Sequence, residues 1–474
     1  MPLFGAYVAD THLGRFRTIQ VAIVIAIVGH VVLTCSAAPS VIVHPKTSIG
    51  VFSLGLVIFG VGTGFFKSNI SPLLAEQTTE TRMYIKTTKT GERVIVDPAV
   101  TNSRIFLYFY MCINIGSLVG QIAMVFAEKY VGFWLSYMLP TVLFLCAPIV
   151  LAVCKKNYRL TPPTGSVLAR FLTMFGAAMK GKWSLNVVKM KREFTWDAVR
   201  PSLVPAAERP AWMTYDDAWV DEVRRGLKAC KVFLFLPLYW IAYNQMTGNL
   251  TSQAATMELH GAPNDLIQNL NPISLVIMIP LMDFFVYPAL RKAHINFTPI
   301  KRIFWGFMFA AMSMIAAAVT QHYIYKMSPC GTDASACDDP APINVWVQTI
   351  PYVLIGFSEI FASITSLEYA FSKAPTNMRS LVMSINLLMT AFASAIGQAL
   401  VSLSEDPLLV WNYSVVTILA FVGGIVFWWT FRKLDRDEDM WNNLKTTAYL
   451  GKTAGTPGIT HDVDEAEVGV VEKK

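Results

Sequence analysis

One carboxylate stands out among the side chains of this sequence that could do chemistry. Glu359 lies about halfway along an apolar stretch, residues 343–372, which is long enough to cross a bilayer as a helix. A charge at that depth costs at least ~2.5 kcal/mol even on the lenient insertion scale, so acids inside membranes tend to face a cavity or a partner and to carry a function. We therefore expect Glu359 to take up a proton or a cationic group.

A small set of other polar side chains falls inside or at the ends of further apolar stretches. Each has a structural alternative that the sequence leaves open. An amide beside small residues could serve helix packing, a lysine near a helix end could extend to the membrane surface, and a tryptophan could simply fill space. An asparagine directly before a proline could cap a helix. The candidates are Lys67, Asn114, Trp240, Asn244, Gln245 and Asn271.

A cation and a carboxylate in opposite halves of the chain suggest a mechanism. Lys67 and Glu359 would attract each other while both are charged, and their pair would hold one face of a cavity closed. Protonation of Glu359, or the arrival of a substrate ammonium group, would release Lys67 and favour another conformation. This hypothesis predicts that replacing Glu359 with glutamine abolishes proton-driven accumulation of a substrate.

The composition is that of a membrane protein. Of 474 residues, 54% are hydrophobic and only 15% are charged, whereas soluble domains carry about 25% charged residues. The net charge of +7 resides in short loops between apolar runs, which the positive-inside rule explains without a nucleic-acid partner. The sequence contains no nucleophile elbow, metal-ligand cluster or phosphate-binding loop, so we expect neither an enzyme nor a cofactor or metal.

About ten apolar runs are long enough to span a bilayer. We predict an all-α membrane protein with a helix bundle at 1–154, a cytoplasmic linker at 155–226, a second bundle at 227–433 and a disordered tail at 434–474. Two bundles joined by a central linker match the major-facilitator plan, in which a substrate binds at the midplane between the halves. Part of the linker, residues 167–175, fits either a helix in the membrane interface or an ordinary loop helix. The runs lie near 19–38, 49–66, 105–126, 133–153, 227–245, 272–290, 303–325, 343–371, 378–403 and 409–431.

The loops between these runs alternate between basic and non-basic without a break. Basic loops and the C-terminus are therefore expected in the cytoplasm, and we predict a multi-pass protein of the plasma membrane. The basic loops lie near residues 15–17, 82–93, 155–159, 291–302 and 373–379.

Two cysteines share one of the non-basic loops. Cys330 and Cys337 could form a local disulfide if that loop faces an oxidising compartment. The sequence alone does not prove the pairing, so free thiols stay an alternative.

Several segments, taken together, resemble the proton-coupled oligopeptide transporter family in its fungal branch. They follow one another in order along nearly the whole chain, and jointly they are specific, although any one alone would be weak. The segments are GAYVADTHLGRFRTI at 5–19, GTGFFKSNISPL at 62–73, GERVIVDPA at 91–99, FYMCINIGSLVGQ at 109–121, HGAPNDLIQNLNPI at 260–273 and SEIFASITSLEYAFSKAP at 358–375.

The resemblance implies a twelve-helix major-facilitator fold and symport of di- and tripeptides with protons, by a protein expected to be monomeric in the bilayer. Lys67 and Glu359 match the family's pair between the two halves, with Glu359 also receiving the amino terminus of the peptide. Asn114 and Asn271 match asparagines that hold the peptide. Trp240 matches an aromatic residue of the pocket wall, and Asn244 is counted among the peptide-binding residues.

The resemblance also assigns a conformational motif to the first segment. Its residues are Gly5, Asp10, Gly14 and Arg15.

The sequence departs from the family pattern in three places. The Glu-x-x-Glu-Arg signature of the first helix is missing, because the chain opens near the end of what would be the second helix. Asn244 and Gln245 stand where some members carry an acid, and Asn386 stands where some carry a tryptophan. We expect a truncated gene model, a fragment, or a protein that folds poorly and does not couple. The alternative function is a non-transporting, peptide-binding membrane receptor.

Overall fold

The computed structural model of the chain is dominated by long helices. It describes residues 1–78, 84–88, 90–96, 98–160, 163, 167–179, 195–205, 209–210, 212–374 and 378–434. Within these ranges, ten helical segments are long and apolar enough to cross a membrane, which confirms the predicted number. Residues 435–474 of the predicted tail and 180–194 of the predicted linker lie outside the described ranges.

The helices fall into a first group, α1–α6, and a second group, α8–α17, with α7 between them. Three π-helical turns, Ala9–Leu13, Met282–Val286 and Ile360–Ile364, interrupt the described helices. The helices are α1 Pro2–Val8, α2 Arg15–Ser36, α3 Pro39–Ile42, α4 Pro45–Ala75, α5 Pro98–Tyr130, α6 Phe133–Cys154, α7 Val167–Met179, α8 Asp217–Phe233, α9 Leu236–Asn244, α10 Asn249–Ala255, α11 Leu270–Leu281, α12 Tyr287–Lys292, α13 Pro299–Met327, α14 Thr349–Glu359, α15 Thr365–Lys373, α16 Arg379–Ala399 and α17 Leu409–Phe431.

Within the described ranges, four short strands accompany the helices. Strands β1, Tyr84–Thr87, and β2, Arg93–Val96, form an antiparallel hairpin between α4 and α5. Strands β3, Met257–Glu258, and β4, Ala341–Asn344, pair in parallel. The hairpin lies in a segment that we predicted only as polar. The consecutive β-branched residues Val94, Ile95 and Val96 of β2 are the signal for a strand.

Small residues bring the first helices into close contact. A Cβ atom on Gly29 of α2 would lie 2.6 Å from the backbone nitrogen of Phe59 in α4. A Cβ atom on Gly62 of α4 would lie 2.7 Å from the backbone nitrogen of Ala26 in α2. Only glycine allows such backbone approach within a bilayer, where packing replaces the hydrophobic effect as the force between helices.

Aromatic side chains fill the interior of the second group. The ring of Phe307 in α13 lies 6.0 Å from that of Tyr239 in α9 and 5.7 Å from that of Phe427 in α17, measured between centroids. All three side chains are fully buried. Aromatic pairs at this spacing add to the energy of burial, so these rings fix the mutual positions of three spanning helices.

The helix after the linker starts earlier than the apolar run predicts. Helix α8 begins at Asp217, whereas the predicted span begins near residue 227. Asp216 caps it, accepting a hydrogen bond of 2.9 Å from the backbone nitrogen of Trp219. One face of the helix buries Trp219, Val220 and Val223, while the average hydropathy of the whole helix is low. A hydropathy criterion therefore misses an amphipathic extension that packs on protein.

The loop between α13 and β4 contains a disulfide. Cys330 and Cys337 are bonded, with an S–S distance of 2.09 Å. The loop is held against Asp406, which precedes α17. This carboxylate accepts hydrogen bonds from the backbone nitrogen of Ser335, at 2.8 Å, and from the hydroxyl of Tyr325, at 2.5 Å. The bridge and the bonds together fix the loop over the end of the second group.

Candidate functional site

Glu359 lies inside the protein, between the two helix groups. It is the last residue of α14, directly before the π-helical turn Ile360–Ile364, and its side chain is 1% exposed. Tyr110 of α5 donates a hydrogen bond to one carboxylate oxygen, and the amide of Asn271 in α11 donates one of 3.1 Å to the other. The hydroxyl of Tyr243 also faces this carboxylate. The acid therefore faces protein partners rather than lipid, as an intramembrane carboxylate must.

Asn271 and Asn114 take different places around this carboxylate. Asn271 lies in the first turn of α11 and is 3% exposed, with its amide directed at Glu359. Asn114 lies one helical turn beyond Tyr110 on α5, and its amide donates a bond of 2.9 Å to the backbone oxygen of Tyr110. Asn114 therefore shares a helix face with Tyr110 and keeps its side-chain oxygen for another donor.

Trp240 and Asn244 lie on α9, beside the same site. The Trp240 ring is 5.1 Å from the rings of both Tyr239 and Tyr243, measured between centroids. Its indole nitrogen is buried and has no hydrogen-bond partner among the described residues. Asn244 follows one turn later and is half-buried. An unpartnered indole donor inside an aromatic cluster is suited to a bound acceptor.

Lys67 is not joined to Glu359 in this conformation. Its side chain is exposed, and no carboxylate of the described residues lies within 4.0 Å of its nitrogen. Tyr110 occupies the position that we predicted for Lys67, as the partner of Glu359 from the first group. A neutral hydroxyl and an amide satisfy the carboxylate oxygens without the cost of burying a lysine.

The sequence reasoning missed Tyr110 and Tyr243 as partners of the acid. Tyr110 precedes Asn114 by four residues, which places both on one face of a helix. That spacing was the available signal. Tyr243 sits three residues after Trp240, and aromatic residues in a membrane span are too common for this to have indicated a role.

Gly5 of the conformational motif is a point of backbone contact. A Cβ atom there would lie 2.7 Å from the Cα atom of Phe65 and 2.9 Å from the hydroxyl oxygen of Ser68, both on α4. The amide of Asn69 donates to the backbone oxygen of Gly5, at 3.3 Å. Helix α1 therefore packs directly on α4 at Gly5, because this residue has no side chain.

One serine of the second group, Ser380, connects to two residues of the conformational motif, Asp10 and Arg15. Arg15 donates a bond of 2.7 Å to the hydroxyl of Ser380 in α16, and that hydroxyl donates one of 3.0 Å to Asp10. Arg15 also forms an ion pair with Glu76. Gly14 turns the chain between Asp10 and Arg15 with a φ of 73°, a left-handed conformation that favours glycine. Burial raises the pKa of Asp10, and the nearby Arg15 opposes that effect.

A second set of polar contacts joins the groups at the start of α5. Arg104 forms an ion pair of 3.0 Å with Asp283, which also accepts a bond of 3.2 Å from Tyr108. Next to it, Glu368 of α15 accepts a bond of 2.9 Å from Ser103. Both acids therefore make polar contacts across the two groups. We call the end that carries this set and the Arg15–Ser380 contact the basic end.

Each of the three π-helical turns in the described helices lies at or beside an acidic residue. Asp10 lies in the first turn and Asp283 in the second, and Glu359 directly precedes the third. Such turns are rare and often occur at functional positions, because they bulge the helix and redirect side chains. No group of three histidine, cysteine or acidic side chains suited to a metal is found within the described ranges.

Comparison with known proteins places the sequence in a family. A model of the POT family matches residues 16–417 of the chain. The chain belongs to the POT family. This POT family chain is 46% identical over 450 residues to peptide transporter PTR_B of Candidozyma auris, covering 94% of the chain and 74% of the relative. It is 41% identical to peptide transporter PTR2 of Saccharomyces cerevisiae, covering 94% of the chain and 71% of the relative.

The fold of the POT family chain is also that of solved POT structures. The crystal structure of the POT family transporter PepTSo matches with a TM-score of 0.67 and 22% sequence identity, over 92% of this chain and 87% of that one. An auto-inhibited POT family peptide transporter matches with a TM-score of 0.65 and 20% identity, over 91% and 85% of the two chains. The likeness establishes the fold alone, since both identities are low.

Proposed function

We propose that the protein moves di- and tripeptides across the plasma membrane together with protons, by alternating access between its two helix groups. The observation that carries the proposal is the buried carboxylate of Glu359, held between the groups by Tyr110 and Asn271. Relatives more than 40% identical over 94% of the chain bear the name peptide transporter, which supports the substrate class.

Glu359 is the natural acceptor for the amino terminus of a peptide. An ammonium group offers three donors and a positive charge, and a buried carboxylate gains more from such a partner than from neutral donors. The amide oxygens of Asn114 and Asn271 could accept backbone N–H groups of the same peptide. Trp240 and Asn244 would form the wall beside it, and Lys67 would supply a cation for the carboxylate at the other end.

Proton coupling follows from the bond that crosses the groups. While Glu359 is ionised, its hydrogen bonds from Tyr110 and Asn271 are charge-assisted and about twice as strong as neutral ones. A proton on Glu359 weakens both bonds, and a peptide ammonium group competes with them. Either event lowers the stability of the closed arrangement and shifts the population toward the state in which the groups separate.

The orientation that fits the loops puts the basic end in the cytoplasm. Arg15, Arg104, Arg302 and Arg379 all lie at that end. In the described conformation the two groups are joined there, so a peptide would enter from the opposite side. We propose a monomer as the transporting unit, since the acid and its partners all come from one chain.

The decisive experiment is uptake of a radiolabelled dipeptide by proteoliposomes containing the purified full chain, with and without an inward proton gradient. Accumulation driven by the gradient is expected for the wild type and should collapse in Glu359→Gln, while exchange of peptide across the membrane partly survives. Glu405→Gln, which changes an exposed acid, is the matched control and should accumulate normally.

Two outcomes would contradict the proposal. Unchanged accumulation by Glu359→Gln would remove this acid from the coupling. Saturable binding of the dipeptide by the wild type without any accumulation would favour a peptide-binding receptor.

A further inference from the structure

A cavity that takes no part in the proposed peptide site opens at the basic end. It has a volume of about 460 Å³ and lies between the start of α2, the end of α4 and the segment that follows α6. Four of its lining residues, His12, Arg15, Arg17 and Lys155, can carry a positive charge. No carboxylate is found among the described residues that line it. The cavity is therefore electropositive.

The backbone of α2 adds further donors to this cavity. Helix α2 begins at Arg15 without a side-chain cap, and its first helical bond runs from the nitrogen of Thr18 to the oxygen of Gly14, at 3.1 Å. The N–H groups of residues 15–17 precede that bond and point out of the helix start. Gly14, Arg15 and Arg17 all line the cavity. The positive end of a 22-residue helix and its unpaired donors therefore face the same space as the basic side chains.

Two of these charges are available to a ligand. Arg17 and Lys155 are exposed, and neither forms an ion pair with any carboxylate in the part of the chain that the structure describes. Arg15, in contrast, is engaged by Glu76, Asp10 and Ser380. An anion in the cavity would thus be held chiefly by Arg17, Lys155 and the helix start, with Arg15 as the inner wall.

The surroundings of the cavity indicate a lipid rather than a solute. Exposed valines continue from it along both flanking helices: Val21 and Val24 on α2, 42% and 57% exposed, and Val150 and Val153 on α6, 55% and 76% exposed. Such apolar rows on spanning helices face acyl chains. A molecule with a phosphate in the cavity and its chains along these rows would satisfy both surfaces.

We propose that this cavity is a binding site for the phosphate headgroup of an anionic phospholipid. The site is separate from the peptide site, and only the choice of the cytoplasmic leaflet, which carries most anionic lipid, rests on the orientation proposed above. The ligand would sit directly behind Arg15, which bonds to Ser380 of α16. The headgroup would therefore touch one of the contacts that join the two helix groups.

The test is native mass spectrometry of the purified full chain in detergent, titrated with phosphatidylinositol, with phosphatidylcholine and with inorganic phosphate. The site variant is Arg17→Gln with Lys155→Gln. The matched control is Lys156→Gln with Arg159→Gln, which removes the same charge from neighbouring residues that do not line the cavity. The charge-retaining variant Arg17→Lys with Lys155→Arg keeps the test meaningful if the first variant folds poorly.

The site variant should bind phosphatidylinositol at least about tenfold more weakly than the wild type, since each basic group near a charged lipid contributes strongly to attraction. The control variant should change by less than twofold, and the charge-retaining variant should bind as the wild type does. Inorganic phosphate that binds with the same dependence on the variants would support the anion site with a soluble ligand. Equal losses in the site and control variants, or equal binding of phosphatidylcholine, would overturn the proposal.

Discussion

Tyr110 and Glu359 form a side-chain hydrogen bond between the two helix groups at the depth of the buried acid. The phenol of α5 donates to a carboxylate at the end of α14, and the same hydroxyl lies 3.4 Å from Ser363 in the following π-helical turn. A hydrogen bond to an ionised partner contributes about 1.5–3 kcal/mol, enough to change the ratio of two conformations more than tenfold. The charge of Glu359 therefore contributes to the stability of the closed arrangement, together with the contacts at the basic end.

Replacing Tyr110 with phenylalanine should weaken that arrangement while keeping the ring. The variant should lose about 1.5–3 kcal/mol of the interaction, shifting the population toward separated groups. Spin labels on α5 and α15 would report the change as a longer mean distance. Tyr413→Phe is the matched control, because its hydroxyl is buried without a partner among the described residues. An identical distance distribution in Tyr110→Phe and the wild type would mean that the bond does not control closure.

The Arg104–Asp283 pair offers a test at the basic end. Asp283 is 6% exposed and loses its charge in Asp283→Asn, which leaves Arg104 and Tyr108 with a weaker acceptor. We expect the start of α5 to separate more readily from α11, and a cysteine pair introduced across these helices to cross-link several-fold more slowly. Asp339→Asn, at an exposed acid of the disulfide loop, should leave the rate unchanged. Equal rates in all three proteins would show that the pair is not needed for closure.

The positions of the spanning helices were accessible from the sequence because bilayer thickness sets a length and apolarity that few other structures share. The amphipathic start of α8 could not be predicted as part of a spanning helix. Its apolar face is buried by protein, and a hydropathy average combines that face with the charged one. The β1–β2 hairpin was not predicted, for a related reason. It lies in a polar segment where only the short β-branched run of β2 indicated a strand.

The candidate site could be predicted in part. A carboxylate in the middle of an apolar run has few structural explanations, so Glu359 could be named. Asn271 was named only as a helix cap or a peptide-binding residue, and its bond to Glu359 was not predicted. The partner from the other helix group could not be deduced, because the choice between Lys67 and Tyr110 depends on how α4 and α5 turn relative to α14. Sequence gives helix faces only relative to their own helix, and hydroxyl, amide and ammonium groups can all satisfy a carboxylate.

The close packing of α1 on α4 predicts that one added methyl group at Gly5 lowers the stability of the protein. In Gly5→Ala the new Cβ atom would lie 2.7 Å from the Cα atom of Phe65, which is backbone and cannot turn aside. Overpacking of this kind costs about 1–3 kcal/mol, so the melting temperature in detergent should fall by several degrees. Gly60→Ala on α4, where no atom lies within 4 Å of the added carbon, is the control and should melt as the wild type does. A normal melting temperature for Gly5→Ala would show that α1 does not pack there.

The burial of Asp10 predicts a dependence of stability on pH. Burial raises the pKa of this carboxyl above 3.8, its ordinary value, so the folded protein binds the proton more tightly than the unfolded chain does. The acid therefore costs stability progressively as the pH rises from the unfolded pKa through the folded one, and the loss is complete above it. An asparagine side chain does not titrate, so Asp10→Asn should gain on the wild type in melting temperature as the pH rises.

Melting temperatures of the two proteins in detergent, measured across a pH series that begins near pH 4, would test this dependence. Gly60→Ala is a suitable control, since it changes no titratable group and has no atom within 4 Å of the added carbon, so it should follow the wild type through the series. The comparison also separates two effects of Asp10, because the neutral amide is a weaker acceptor for Ser380 at every pH, whereas the titration changes only the slope. A difference between Asp10→Asn and the wild type that stays constant, or that shrinks with rising pH, would contradict the raised pKa.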